Sequence, residues 1–219
     1  MKLDETTTEI LKNFQLINNS IQISEGDTTI TMAKSETVLA RAKFPSQFPK
    51  TFCIHDMARF LSVAKMFKEG EIDFSDTFLT FRDGQKKIRY SYCDPEAITL
   101  PKKQPSMFPK QDQFFQFTLT ASMIEEALSG MNVLKHSGIA IIGDGERLFI
   151  DTVTNVNSDK FSMDIGETNH TFKFIFEASK LNFLSRDYTV TLSRKRHMHL
   201  QSDGLEYWVS GSKDSTISE

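Results

Sequence analysis

Cysteine is scarce in this chain: only Cys53 and Cys93 occur, 40 positions apart in 219 residues. Neither has the close paired spacing of a zinc site or a redox motif, so reduced thiols in a cytoplasmic compartment are expected rather than a disulfide framework. No uninterrupted apolar run approaches the roughly 20 residues of a membrane-spanning helix. The start, Met1 to Glu9, is polar and acidic, unlike a signal peptide. Charge of one sign is also missing. With 26 basic and 29 acidic residues the net charge is −3, which argues against a coat of nucleic-acid-binding cations and leaves their local placement to decide.

Enzyme motifs are absent as well. No phosphate-cradling glycine loop ends in Lys-Ser or Lys-Thr, no dinucleotide fingerprint occurs, and no serine sits in a nucleophile elbow. The most tempting pair is His197 and His199, two residues apart on one face of an expected strand, where one further carboxylate would complete a metal site. No matching His or carboxylate pair is positioned by the sequence. The expectation is therefore no catalytic residue, no metal and no cofactor.

What the chain does contain is a folded protein's share of apolar residues, 39% with 19 Phe, and a helical stripe that recurs. The stripes are Ile10, Leu11, Phe14, Ile17; Met57, Phe60, Leu61, Ala64, Phe67; Ile124, Ala127, Leu128, Met131; and more weakly Ala178, Leu181, Leu184. The anchors Ile10, Met57, Ile124 and Leu181 recur at near-regular intervals once the connector from Cys93 to Gln113 is set aside. Each helix is followed by short strand candidates, so the chain reads as four copies of one unit that share sheets and cores.

The first helix is expected over Asp4 to Ser20, capped by Asp4 or a nearby Thr, and is followed by strands Ile21 to Ser24, Thr28 to Ala33 and Thr37 to Phe44. Pro45 and Pro49 should interrupt pairing before Thr51 to Ile54 rejoins the sheet. After the second helix come Glu71 to Phe74, Phe78 to Phe81 and Lys86 to Tyr92, with Asp83-Gly84 as a hairpin turn. Pro95, Pro101, Pro105 and Pro109 keep the segment between the halves extended. The second half opens on Phe114, Phe115, Phe117 and Leu119, and its third helix starts at Thr120 or Ser122. Gly143-Asp144-Gly145 and Ser202-Asp203-Gly204 mark turns, and the small polar tail Gly211 to Glu219 is expected to fray. The domains are accordingly 1–92 and 114–219, with a connector at 93–113.

Several strings carry a resemblance across essentially the whole chain: Met1-Lys2-Leu3 with Thr6-Thr7, Leu11-Lys12-Asn13-Phe14, Ile17-Asn18, Asp94-Pro95 and Asp214-Ser215-Thr216. In these and in the order of elements the chain resembles the sliding clamps of T-even-type tailed phages, the ring-shaped processivity factors of DNA polymerases. The resemblance implies an α+β DNA-clamp fold of two similar domains, each with two helices on antiparallel sheets. It further implies a head-to-tail homotrimer around duplex DNA, with the replicative polymerase and a clamp loader as partners and late-transcription factors as further ones. The setting it implies is the cytoplasm of an infected bacterial host.

The same resemblance makes the strand Lys86 to Tyr92 one subunit edge and Lys160 to Gly166 the edge it meets. Ile88, Tyr90 and Tyr92 alternate with Lys87 and Arg89, while Phe161, Met163 and Ile165 alternate with Ser162 and Asp164. An ion pair from Lys87 or Arg89 to Asp164 or Glu167 is expected across the seam. The alternative is that both strands lie inside their own sheets.

A ring that slides on DNA needs a mildly basic lining with no base readout. Lys12 on the first helix and Arg59 and Lys65 on the second project away from the apolar stripes, with Lys180 and Arg186 as candidates from the fourth helical region. Glu125, Glu126 and Ser129 make the third helix an exception. Ile98, Leu100, Met107 and Phe108 are apolar groups in the connector, placed to receive a partner peptide or to anchor the connector to its own domains. Two other classes remain open: a repeat-built structural or adaptor protein of a virion, and a metal-dependent enzyme using His197 and His199.

Overall fold

The computed structural model of the chain describes residues 1–101, 106, 109–154 and 156–218. It divides into two compact units, Met1–Pro105 and Ser106–Glu219. Among the described residues there are three α-helices, and no helix is long and apolar enough to cross a membrane.

In the first unit, α1 (Glu5–Ile17) begins where Asp4 takes an extended conformation and its carboxylate accepts the Thr7 amide at 2.7 Å. Ile10, Leu11 and Phe14 are buried, as their spacing requires. The chain continues through β1 (Ile21–Ile23), β2 (Gly26–Met32), β3 (Val38–Phe48) and β4 (Phe52–Ile54). β2 pairs with β3 and β1 with β4, both antiparallel. Pro45 does not end β3, contrary to expectation. The β2–β3 register jumps between Gly26 opposite Phe48 and Thr28 opposite Lys43, and Pro45 falls inside that bulge, where no ladder amide is needed. Gly26, at φ +95°, provides the matching bend.

α2 (Met57–Met66) is capped by Asp56, whose side chain accepts the Arg59 amide at 3.0 Å, and it packs against α1. β5 (Glu71–Phe74), β6 (Phe78–Asp83) and β7 (Lys86–Ser91) form a three-stranded antiparallel sheet in that order. Gly84, at φ +55°, sits in the two-residue turn that joins the last two strands. Phe60 of α2 meets Phe81 of β6 at 5.7 Å and Tyr90 of β7 at 5.6 Å, fixing the helix on this sheet.

The second unit opens with β8 (Gln113–Leu119) and α3 (Ala121–Val133), whose cap Thr120 Oγ1 accepts the Met123 amide at 3.3 Å. β9 (Gly138–Asp144), β10 (Arg147–Val153), β11 (Ser162–Glu167) and β12 (Thr171–Glu177) follow. β13 (Tyr188–Ser193), β14 (His197–Ser202), β15 (Leu205–Ser210) and β16 (Thr216–Ile217) complete the unit. One sheet runs β11-β10-β9-β12-β16, and β15-β14-β13-β8 are hydrogen-bonded in that order. α3 lies on β9 and β10, burying Ile124, Ala127 and Met131. Phe114, Phe172 and Phe174 cluster beneath, with ring centroids 5.4–6.0 Å apart.

Two expectations fail in this unit. The fourth helix is only a 3-10 turn, Ala178–Lys180. Leu181 and Phe183 are buried, but the backbone at Leu184 is held by tyrosine hydroxyls: its carbonyl accepts Tyr188 Oη at 2.8 Å, and its amide donates to Tyr207 Oη at 3.4 Å. Asn182, which bonds the Ser179 carbonyl at 3.2 Å, offers the chain a further local alternative to helix. The tail does not fray throughout either. β16 pairs with β12, and the buried Ser215 hydroxyl accepts the Ile175 amide at 3.0 Å.

Candidate functional site

The two strands singled out as edges are edges. β7 bonds only to β6 and β11 only to β10, so among the described residues each has its other side open. Neither carries a proline, although β11 bulges at Ile165, where Leu148 faces Gly166 and Phe149 faces Asp164, and Gly166 at φ +148° kinks its end. Such an edge presents unpaired amides and carbonyls and favours pairing with another chain.

On β7 the alternation holds. Lys87 and Arg89 are exposed, whereas Ile88, Tyr90 and Tyr92 are half-buried against the unit's own core. Tyr90 Oη donates to the Asp56 carbonyl at 2.9 Å, and Tyr92 stacks on Phe52 at 5.0 Å. Burial, with Asp76 nearby, pushes the Tyr92 phenol up to about 12. Arg89 lies over the Phe78 ring at 3.7 Å. The edge is therefore stiffened from behind by aromatic contacts while its outer face stays charged.

On β11, Met163 and Ile165 are half-buried and Asp164 is exposed. Lys160 and Phe161 precede the strand rather than beginning it. Asp164 already has a partner within its own unit. Arg147 Nη2 and Nε reach its Oδ2 at 2.6 and 2.8 Å, and Nη1 reaches Glu167 at 3.4 Å. The Arg147 hydrogen bond holds the Asp164 carboxyl below the ordinary Asp range. Arg147 was missed in the sequence because nothing local ties it to two acidic residues so far along the chain; only the β10–β11 register does, placing it opposite Glu167.

Phe161 fills the space over Gly130 of α3, where an added Cβ would come within 2.6 Å of its ring. Beside it a groove of about 590 Å³ is lined by Glu125, Glu126, Ser129, Val133, Leu134 and Lys160 among others. The third helix thus turns its acidic side toward Lys160 and Phe161, the residues that lead into β11.

The expected DNA-facing residues divide into two groups. Lys12 on α1 and Arg59 and Lys65 on α2 are exposed on two helices that pack together. Lys180 and Arg186 lie outside any α-helix, which corrects their placement. The Lys180 ammonium pairs with Glu177 at 3.1 Å with only 12% of its side chain exposed, and Arg186 is half-buried. In the connector, Ile98 and Leu100 are half-buried, while Met107 and Phe108 lie outside the described residues. Trp208, the single tryptophan, donates its indole N–H to the Ser106 carbonyl at 3.2 Å and so ties β15 to the connector's end.

His197 and His199 do not form a metal site. His199 is buried, stacked on Trp208 at 4.5 Å and bonded through Nε2 to Glu206 at 3.0 Å. Burial, with Lys195 nearby, lowers the His197 imidazole. Among the described residues no group of three or more His, Cys, Asp or Glu could hold a metal ion.

The family model for DNA polymerase processivity factor matches residues 2–100. The sliding clamp of Vibrio phage KVP40 is 26% identical over 217 residues, covering 96% of this chain and 98% of that protein. The chain is similar to the phage sliding clamps along its whole length. The sliding clamp of Enterobacteria phage T4 is 25% identical, over 99% of both chains. The fold agrees: A. fulgidus PCNA, solved with the C-terminal region of FEN-1, superposes with a TM-score of 0.68 at 15% identity, over 97% of this chain and 96% of that chain. The fold is thus the α+β DNA-clamp fold.

Proposed function

We propose that this clamp closes as a head-to-tail homotrimer around duplex DNA, with β7 of one subunit paired to β11 of the next. The observation that carries this reading is the pair of open edges, one in each unit, on a protein whose family works as rings. Pairing them covers both of these edges, and because the two edges differ, the contact is heterologous and closes by rotation. The seam combines main-chain bonds, Met163 and Ile165 packing against Ile88, and Lys87 or Arg89 approaching the Asp164 and Glu167 carboxylates that Arg147 already orders.

Lys12, Arg59 and Lys65 face the duplex in this reading and neutralise phosphate without reading bases, which permits sliding. The ring tethers the replicative polymerase and is placed on DNA by a clamp loader. Their peptides dock beside the part of the connector that carries Ile98 and Leu100; the archaeal PCNA structure holding a FEN-1 C-terminal region is the analogy for such docking. Late-transcription factors as partners, and the infected host's cytoplasm as the setting, rest on the likeness to T-even-type phage clamps alone.

Light scattering across a dilution series tests the ring, which should weigh three times the 25.0 kDa subunit. A species of that triple mass that stimulates DNA synthesis only with a loader and ATP supports the reading. A 25.0 kDa monomer at all concentrations overturns it.

A further inference from the structure

A third strand has an open side. β8 bonds only to β13 among the described residues, and Gln113 to Leu119 include neither a proline nor a charged side chain to deter pairing. Its one interruption is a bulge at Phe114, where Leu192 faces Phe115 and Ser193 faces Gln113. Beyond it the strand is regular. Phe115 and Phe117, both half-buried, stack at 5.8 Å on the face they share with buried Val190 and Leu192, while Gln116 and Thr118 are exposed on the other.

The two ends of this edge carry opposite charge. At its start, the turn between β13 and β14 exposes Arg194, Lys195 and Arg196. Lys195 is paired with Asp112 at 2.7 Å, and Arg194 leans over the Phe114 ring at 5.5 Å. Lys110 is exposed just ahead of the strand, and Lys213 and Asp214 lie behind Gly211, whose amide donates to the Arg196 carbonyl at 2.7 Å. At the far end, exposed Asp187 accepts the Ala121 amide at 2.8 Å. It borders a pocket of about 540 Å³ whose lining also includes Asp203 and Glu206 and no basic residue. Arg186, next to Asp187, is half-buried and has an interaction of its own.

We infer that β8 pairs antiparallel with β8 of a second copy of this chain, about a twofold axis at Phe117. In that register Phe117 meets its equivalent, Phe115 meets Leu119 and Gln116 meets Thr118. Arg194, which leans over Phe114, then stands opposite Asp187, which holds Ala121. The contact is isologous, so each of these pairings occurs twice. The occupant is a second copy because a strand that fits must bring apolar groups at alternate positions, a carboxylate to Arg194 and a cation to Asp187. β8 run antiparallel brings all three, whereas a parallel copy would set Arg194 against Arg194. This surface is separate from β7 and β11 and does not depend on the ring. Closed rings, whose β8 edges all point the same way by symmetry, would meet face to face, and a lone subunit would dimerise.

Light scattering of DNA-free protein concentrated to about 0.1 mM tests this, since a small edge contact with a Kd of about 10 μM is then mostly formed. The wild-type mass is expected to double, from three subunits to six for a ring, or from one to two without one. Arg194→Glu and Asp187→Lys should each raise the half-association concentration about tenfold or more. An equimolar mixture of the two should recover the doubling, because each copy then supplies the charge that the other lacks. Asp187 also holds the start of α3, so Gln116→Lys with Thr118→Lys provides a second test on exposed groups. It sets like charges across the axis and should abolish the doubling at an unchanged unfolding midpoint. A mass that does not double overturns the inference, whichever base it starts from, and leaves the edge to a partner of another kind. Doubling that survives both Arg194→Glu and the Gln116, Thr118 pair overturns it as well, and so does a mixture of folded variants that fails to recover it, because Arg194 and Asp187 then do not face each other.

Discussion

Arg147 holds Asp164 across the β10–β11 hairpin at 2.6 Å, and the same guanidinium reaches Glu167 at 3.4 Å. In the proposed ring, an acidic edge strand that accepts cations from a neighbouring subunit would thereby be ordered and partly neutralised before the neighbour arrives. Exposed pairs of this kind contribute little to the stability of a subunit. Their effect is expected at the seam, where a side chain already fixed loses less freedom on association.

Arg147→Ala should therefore leave the urea midpoint of the subunit almost unchanged and raise the half-dissociation concentration of the ring about two- to fivefold. Light scattering beside urea unfolding separates the two effects. A large drop in subunit stability with unchanged association would reverse this assignment.

Asp4 gives a pH-dependent prediction. Burial on its own would raise its pKa, but hydrogen bonds from the Thr7 amide and hydroxyl and from Ser46 outweigh burial, and the net shift is downward. A carboxyl lowered on folding adds stability above its unfolded pKa, and that stability is lost as pH falls through the folded value. Asp4→Ala should cost about 1 kcal/mol at pH 7. The gap from wild type should close as the pH is lowered below 3.8, the ordinary Asp value. A gap constant from pH 7 to pH 3 would show that the charge is irrelevant to the cap.

Cys53 is buried, its thiol pushed up to about 11 by burial and by the nearby Cys93 and Asp94. Cys93 is also raised, by burial first. Since the thiolate is the reactive form, a disulfide reagent at pH 8 should modify the native protein slowly and the urea-unfolded chain at once. The raised Cys53 pKa favours the folded state below the ordinary thiol value of 9.0, and that contribution is lost as pH rises toward about 11. Fast labelling of two thiols in native protein would contradict this placement.

Gly130 has no room for a side chain, because a Cβ would meet the Phe161 ring at 2.6 Å. Alanine ordinarily stabilises a helix interior by about 1 kcal/mol over glycine. Here Gly130→Ala should instead displace Phe161, deform the groove beside β11 and weaken trimer formation severalfold, with α3 retained by circular dichroism. Trimer mass unchanged on dilution would show that the ring of Phe161 can move away at no cost to the seam.

Local patterning made the three true helices legible. Ile10, Leu11 and Phe14, Met57 and Phe60, and Ile124, Ala127 and Met131 lie at helical spacing and are buried; Asp4 and Thr120 cap the first and third helices where the sequence placed a start, and Asp56 caps the second. The same spacing failed at Ala178, Leu181 and Leu184, because periodicity reports which residues are buried and not which hydrogen bonds the backbone makes there. Tyr188 and Tyr207, which belong to the strands β13 and β15, supply those bonds. Pro45 misled for a related reason: a proline excludes a ladder amide, and whether the sheet needs one at that position depends on the bulge opposite Gly26.

The sequence by itself thus determined the amphipathic helices, the hairpin turns at Gly84 and Gly204, the alternation along β7 and β11, and the family likeness, since each is written in residues close along the chain. Only the tertiary structure decided which strands are left at the edges, that Arg147 grips Asp164, that His199 is committed to Glu206 and Trp208, and that the acidic side of α3 shares a groove with Lys160 and Phe161. These depend on register and on packing between elements, where a shift of one residue turns a side chain to the opposite face, and no short stretch of sequence fixes both partners at once.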